Sequence, residues 1–222
     1  MLNSDWSVII QDLYKAFGET ATMIGISLSL SIIVGIPLGL FLFITSQGLF
    51  FENRYLNWIM GFSVNVIRSI PYIILLVLLL PLTQLIVNTT IGPLAASVSL
   101  SVASIAFYAR LVEGSLRDVN KGVIEAATAV GATPRMIITQ VLLREAMPGL
   151  ITGLTVTTIS LIAYSAMAGI VGGGGIGDLA VRFGYYRYQT DVMIVTVVVL
   201  VILVQLVQAL GDYFARRVDR RS

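Results

Sequence analysis

The sequence predicts an all-α membrane protein with five transmembrane helices. Apolar residues make up 57% of the 222 residues and charged residues only 12%, whereas soluble domains are nearer one quarter charged. Four long runs contain no Lys, Arg, Asp or Glu. A helix needs roughly 20 apolar residues to cross a bilayer, and lipid offers the backbone no hydrogen-bond partners, so these runs should be helical. They are residues 20–51, 69–109, 146–177 and 192–211.

The N-terminal 18 residues predict a short interfacial helix ahead of the first span. Lys15 is the only basic residue there, and a cleaved signal would need a basic segment before its apolar stretch. The apolar side chains of this segment share one helical face, which suits the surface of a bilayer. They are Trp6, Ile9, Ile10, Leu13 and Phe17.

Five spans follow, and residues 1–222 form a single transmembrane domain with no soluble domain. The turn at residues 88–93, with its Asn-Thr and Gly-Pro pairs, divides the longest uncharged run into two spans. A charged segment, residues 113–148, separates the third span from the fourth. The expected spans are residues 20–45, 59–82, 94–111, 150–171 and 192–210.

The basic residues predict the orientation of the chain. Five crossings place 11 of the 14 Lys and Arg residues on one side. By the positive-inside rule, that side is cytoplasmic and includes the C-terminus, and the N-terminus is outside. The 11 residues are Arg54, Arg68, Arg110, Arg117, Lys121, Arg135, Arg144, Arg216, Arg217, Arg220 and Arg221.

The charged segment 113–148 predicts two short amphipathic helices joined by a sharp turn. Gly131 stands where a left-handed helix end would place it, Thr133 can cap the next helix, and Pro134 suits its first position. From this pattern alone the segment is either a docking element for another protein or an interfacial loop. Its two apolar faces consist of Val123, Ile124, Ala127 and Val130, and of Ile137, Ile138, Val141 and Leu142.

Residues 125–131 (Glu-Ala-Ala-Thr-Ala-Val-Gly), followed by Val141-Leu142-Leu143, resemble the EAA motif of permeases of binding-protein-dependent ABC importers. The chain departs from the family pattern at Arg144, where Pro is usual. The resemblance implies a type I importer permease fold and a segment that docks on a separate ATP-hydrolysing subunit. The coupling residues it implies are Glu125, Ala126, Ala127, Gly131, Thr133, Pro134 and Leu143.

Further segments are similar to the methionine-importer branch of that family. They are residues 65–76, 131–134, 164–169 and the glycine-rich loop that ends at Phe183-Gly184-Tyr185. The resemblance implies a permease for D- or L-methionine in a cell membrane, with another small amino acid as the alternative. The implied partners are two ATP-binding subunits and an extracytoplasmic substrate-binding protein, besides membrane lipid. A second copy is expected because five spans leave little room for an internal route and two-fold dimers are common.

The glycine-rich loop, residues 172–177, matches the dinucleotide pattern G-x-G-x-x-G but lacks a βαβ context. We therefore expect a flexible or tightly packed loop at the outer side. The chain has no phosphate-binding G-x-x-x-x-G-K-[ST] motif, no Cys and no His. We expect no catalytic residue, metal or cofactor in this chain, with ATP and Mg²⁺ held by the partner subunit. The net charge of +2 is too small to suggest a nucleic-acid partner.

Polar stripes on spans three and four are the candidates for a translocation pathway. The stripe Ser97, Ser101, Ser104 and Tyr108 fits helix packing better, because hydroxyl residues are common at such interfaces. The second stripe favours a pathway, and the resemblance implies a gate at Met167. The absence of charge in the four runs argues against a proton-coupled transporter that works alone. A membrane enzyme and a membrane scaffold are weaker alternatives. The pathway candidates are Ser160, Tyr164, Ser165 and Met167, in line with Gly153 and Thr157.

Two further charged groups have simple structural interpretations. Arg68 is expected to be an anchor that snorkels from the base of the second span. Arg110 and Glu113, three residues apart, are expected to pair on the helix surface.

Overall fold

The computed structural model describes residues 6–219, with side chains from residue 9 onward, so residues 1–5, the side chain of Trp6, and Arg220 and Arg221 lie outside the described part. Within it every regular element is a helix. The first span is one continuous run, α1 (Trp6–Leu30), a π-helical turn (Ser31–Gly35) and α2 (Ile36–Ile44). One residue separates the π-helical turn from Pro37, which has no N–H to donate to the helix.

The N-terminal segment is not a separate helix, because α1 runs through residue 18 without a break. Ile9 and Ala16 are buried against Ile176, Leu179 and Val192. Part of the predicted apolar face therefore packs on protein, whereas Ile10 stays exposed. Its placement at a bilayer surface remains a prediction.

The second span is broken, contrary to the single helix expected over residues 59–82. It consists of α3 (Arg54–Ser69), α4 (Tyr72–Leu78) and α5 (Leu80–Val87), and α3 and α4 are bent by 107°. Pro71 lacks an N–H and disfavours helical geometry in the residue before it, and Ile70 is accordingly extended. The described residues thus contain four helices long and apolar enough to cross a membrane, or five if the bent pair is counted as one span.

The third span, α6 (Pro93–Arg117), is the central helix of the fold and packs against α1, α2 and α3. Its buried hydroxyls confirm the packing interpretation of the first polar stripe. Ser104 receives a hydrogen bond from Ser31 (2.6 Å), and Ser101 donates to the carbonyl of Ser97 (2.6 Å). Gly39 of α2 also lies so close that a Cβ there would overlap the carbonyl oxygen of Ala109.

The remaining elements form the connecting segment, the fourth span, the outer loop and the last span. The segment contains α7 (Lys121–Ala129), α8 (Pro134–Met136), a π-helical turn (Ile137–Leu142) and α9 (Leu143–Glu145). Then come α10 (Met147–Ala168), π-helical turns at Gly169–Gly173 and Ala180–Tyr185 around α11 (Gly175–Leu179), and α12 (Thr190–Val218). The α12 helix is the least buried span, so most of its surface is available to lipid.

Candidate coupling segment and translocation face

The turn between α7 and α8 has the geometry predicted from its residues. Asn120 caps α7 by accepting a hydrogen bond from the Gly122 N–H (2.8 Å). Gly131 has φ +82°, its N–H donates to the Thr128 carbonyl (3.0 Å), and the Ala132 N–H donates to the Ala127 carbonyl (3.1 Å). These two bonds are a Schellman motif, which requires a left-handed residue at this position. Only glycine adopts that conformation without strain.

The second half of the segment is anchored in the core, whereas the first half is presented to the outside. Thr133 caps α8 by accepting a hydrogen bond from the Met136 N–H (3.4 Å), and Pro134 is its first residue. Ile137 and Leu142 are almost fully buried. In α7 no residue is buried. The core therefore fixes the base of the segment and leaves α7 available to a partner.

The coupling residues named from the sequence fall into two groups. Ala127 and Leu143 pack partly buried against the core cluster, as Ile124 also does, so their immediate effect is to hold the segment in place. The predicted apolar face of α7 is thus divided, because Val130 is 84% exposed. The residues that a docking protein would meet are Glu125, Ala126, Gly131, Thr133 and Pro134.

A cleft of about 440 Å³ lies beside α7 and was not predicted from the sequence. Its walls come from the loop after the first span, including Gln47 and Gly48, and from Lys121 and Glu125 of the segment. Only the tertiary structure shows this cleft, because one wall ends at Leu49 and the other begins at Leu116, far along the chain.

Glu113 is buried in an ion-paired network, whereas the sequence predicted a simple pair on the helix surface. Its carboxylate binds both Arg110 and Arg117, and its side chain is only 7% exposed. Arg110 also donates from Nη2 to the carbonyl oxygen of Gly61 (2.8 Å). The network ties the inner half of α6 to α3, beside the segment that carries Glu125.

The predicted pathway stripe on α10 is divided between packing and exposure. Gly153 and Thr157 are buried, and a Cβ at Gly153 would lie 3.1 Å from the Cβ of Leu111 on α6. Ser165 is also buried and donates to the Ile162 carbonyl (2.8 Å). The pathway prediction therefore does not fit these three residues, which pack inside the described chain.

The other three pathway candidates, Ser160, Tyr164 and Met167, remain partly or fully accessible. Ser160 is partly exposed, and Met167 is 43% exposed. Tyr164 is half-buried and stacks on Tyr72, with ring centroids 4.8 Å apart and planes 13° apart. The hydroxyl of Tyr72 lies 3.2 Å from Ser99 Oγ on α6. This stack, which the sequence did not predict, links the broken second span to the helix that carries Met167.

The glycine-rich loop is tightly packed, which was one of the two expected alternatives; the other was a flexible loop. Glu19 of α1 accepts a hydrogen bond from the Gly175 N–H (2.7 Å), and Thr20 Oγ1 accepts one from the Ile176 N–H (2.9 Å). Gly174 and Gly175 both have positive φ, and a Cβ at either would meet Glu19 or Thr20. The repeated glycines thus permit close contact between this loop and α1.

This arrangement defines a class of protein. Residues 32–221 match the family described as binding-protein-dependent transport system inner membrane component, and the chain belongs to that family. It is accordingly a membrane transport subunit whose source of energy is a separate ATPase.

Two relatives and one solved structure are similar to this chain over most of its length. A probable D-methionine transport system permease protein, MetI, from Vibrio cholerae is 46% identical over 98% of this chain and 97% of its own length. The methionine import system permease protein MetP of Bacillus subtilis is 45% identical over 81% of each chain. Among solved structures, an inward-facing MetNI methionine ABC transporter matches with a TM-score of 0.93 and 42% identity, over 99% of this chain and 100% of that one.

Proposed function

We propose that this chain is the permease subunit of an ATP-driven importer for methionine, in its D form, its L form or both. The observation that carries the proposal is the match to a methionine transporter at 42% identity over nearly the whole of both chains. The exposed α7, presented on a buried base, supports the coupling role of residues 125–134. Permeation of another small amino acid is the second candidate, because the residues at the exposed end of α10 are neutral.

The proposed assembly contains two copies of this chain, two ATP-binding subunits and an extracytoplasmic substrate-binding protein. The ATP-binding subunits would hold ATP and Mg²⁺ and dock on α7 of each copy. ATP binding would shift the dimer between inward-open and outward-open states through contacts that differ between the two states. The distribution of Lys and Arg supports an orientation with α7 and the C-terminal end of α12 in the cytoplasm.

The test combines Glu125→Lys with Gly131→Val in the assembled importer. The charge reversal changes the exposed docking face, and a side chain at φ +82° destabilises the turn. A Cβ at Gly131 has no atom within 4 Å, so the damage is confined to backbone conformation. We expect the ATPase to stop co-purifying and methionine uptake to be lost, with the permease still inserted in the membrane.

The single substitution Gly131→Ala measures how strongly uptake depends on the left-handed turn. The left-handed conformation costs a non-glycine residue about 1–2 kcal/mol, which lowers the equilibrium constant for forming the native turn roughly 5- to 30-fold. Gly114→Ala is the matched control, because Gly114 is helical and a Cβ there also meets nothing within 4 Å. Normal uptake by the Gly131 variants would contradict the coupling role, and uptake of other amino acids but not methionine would contradict the substrate.

A further inference from the structure

Arg68 lies at the break between α3 and α4, inside the broken second span, whereas the sequence predicted a position at the base of that span. It is in the last turn of α3, and its guanidinium group is 5.9 Å from the ring centre of Phe107 on α6. At 1.5 Å per residue, Phe107 is roughly 20 Å from the start of the expected third span at residue 94 and roughly 6 Å from its end at residue 111. Arg68 is therefore near the end of α3 rather than at the start of the second span, and it is a charged group beside the inner part of the third span.

Arg68 is on the side of α3 that faces protein. It follows Gly61 by seven residues and Val64 by four, so the three lie on one helical face. Gly61 and Val64 are buried, and Gly61 contacts Arg110 of α6. The exposed apolar side chains Tyr55 and Phe62 lie on the other side of the helix. Arg68 is nevertheless exposed: α3 ends at the 107° bend, and the Phe107 ring lies on one side of the guanidinium.

No carboxylate of the described chain forms an ion pair with Arg68. The sequence contains no Asp or Glu between Glu52 and Glu113, and Glu113 is already bound by two arginines. The uncharged runs of the other spans contain no acidic residue either, so those runs in a second copy of the chain would bring none. A charged group within the spans that has no protein counterion is a candidate for contact with a substrate or ion.

We propose that Arg68 binds the carboxylate of the amino acid as it crosses, which makes the break between α3 and α4 a substrate site. A guanidinium fork pairs with a carboxylate through two parallel hydrogen bonds, a geometry that lysine does not reproduce. Asn65, three residues earlier and also exposed, adds a neutral polar group beside it. This inference rests on the proposed function, since it assigns a step of amino-acid import to one side chain.

The first experiment measures binding to the purified complex of permease and ATPase without the binding protein. Saturation-transfer NMR compares L-methionine with L-methioninol, in which a hydroxymethyl group replaces the carboxylate, and the signal of the ATPase subunit alone is subtracted. We expect L-methionine to bind the wild-type complex, Arg68→Gln to abolish that binding, and methioninol to give a weak signal that the substitution leaves unchanged. Equal binding of L-methionine to wild type and Arg68→Gln, or equal binding of the two ligands to wild type, would overturn the proposal.

Two further variants separate binding from folding. Arg68→Lys keeps a positive charge at the C-terminal end of α3, so it should assemble normally and bind L-methionine more weakly than wild type. Arg54→Gln, an exposed arginine in the first turn of the same helix, should bind as wild type. Wild-type binding by Arg68→Lys would contradict the two-bond geometry and thus the proposal.

Uptake in proteoliposomes with the binding protein distinguishes this inference from the proposed function. If the wild-type importer fails to accumulate methionine, the proposed function fails. If it accumulates methionine and Arg68→Gln does so at the same rate, only the role of Arg68 fails. We expect Arg68→Gln to lower the uptake rate while recovery of the complex remains unchanged, and Arg54→Gln to take up methionine at the wild-type rate.

Discussion

At the scale of single residues, burial separates side chains that the sequence placed in one set. The stripe on α10 has regular helical spacing, yet Gly153, Thr157 and Ser165 are inside the protein and Met167 is at its surface. Spacing predicts which residues share a face, but it does not show where along that face a neighbouring helix ends. Gly153 lies against Leu111 of α6, whereas Met167 lies near the glycine-rich turn that follows α10.

Met167 and Met136 provide a matched comparison for the proposed gate. Both are methionines of similar exposure, 43% and 46%, but Met167 is on the outer part of α10 and Met136 is in the coupling segment. We expect Met167→Ala to alter the rate of methionine flux in proteoliposomes, because it removes a long side chain from the exposed end of α10. Met136→Ala should have the smaller effect on flux, and equal effects would show that Met167 is not a gate.

At the scale of elements, breaks and turns rather than long helices position the candidate sites. The bend at Pro71 exposes Arg68, the Schellman turn at Gly131 orients α7, and the glycine-rich turn is held by α1. That turn follows the helix that carries Met167, so the hydrogen bonds of Glu19 and Thr20 also fix the outer end of α10. Each break occurs at a proline, which has no N–H to donate, or at a glycine, which can adopt a positive φ.

Glu19→Ala tests the contact between α1 and the glycine-rich turn. The bond between the Glu19 carboxylate and the Gly175 N–H has a charged acceptor, and such bonds contribute about 1.5–3 kcal/mol. We expect a lower thermal midpoint and slower methionine uptake for this variant. Glu19→Gln keeps an oxygen acceptor and should recover most of both quantities.

Lys15→Ala is the control for that prediction. Lys15 is 3.9 Å from Glu19, its side chain is 79% exposed, and removing such a pair has little effect on stability. If Glu19→Ala and Lys15→Ala behave alike, the carboxylate does not hold the turn.

At the scale of the whole molecule, the proposed orientation of the chain in the membrane follows from the distribution of its Lys and Arg residues. The chain contains no cysteine, so single cysteines can be introduced without background labelling. Tyr186, 68% exposed in the outer turn, and Gln47, exposed in the first loop, belong to opposite sides of the proposed topology. Both replacements are at exposed positions and should leave the fold unchanged.

We expect a membrane-impermeant maleimide added to intact cells to label Tyr186→Cys and not Gln47→Cys. After permeabilisation both should be labelled, which controls for reactivity. Labelling of Gln47→Cys alone in intact cells would reverse the proposed orientation.

The sequence by itself determined that this is a helical membrane protein, where four of its spans lie, and how the turn from α7 to α8 is built. These properties depend on local composition and on the conformational limits of Gly131 and Pro134, which a short stretch of chain contains. Tertiary structure decided the burial of Glu113 between two arginines, the cleft beside α7 and the position of Arg68 beside Phe107. Those properties depend on which distant segments meet, because a helical pattern shows a face and only packing shows what covers it.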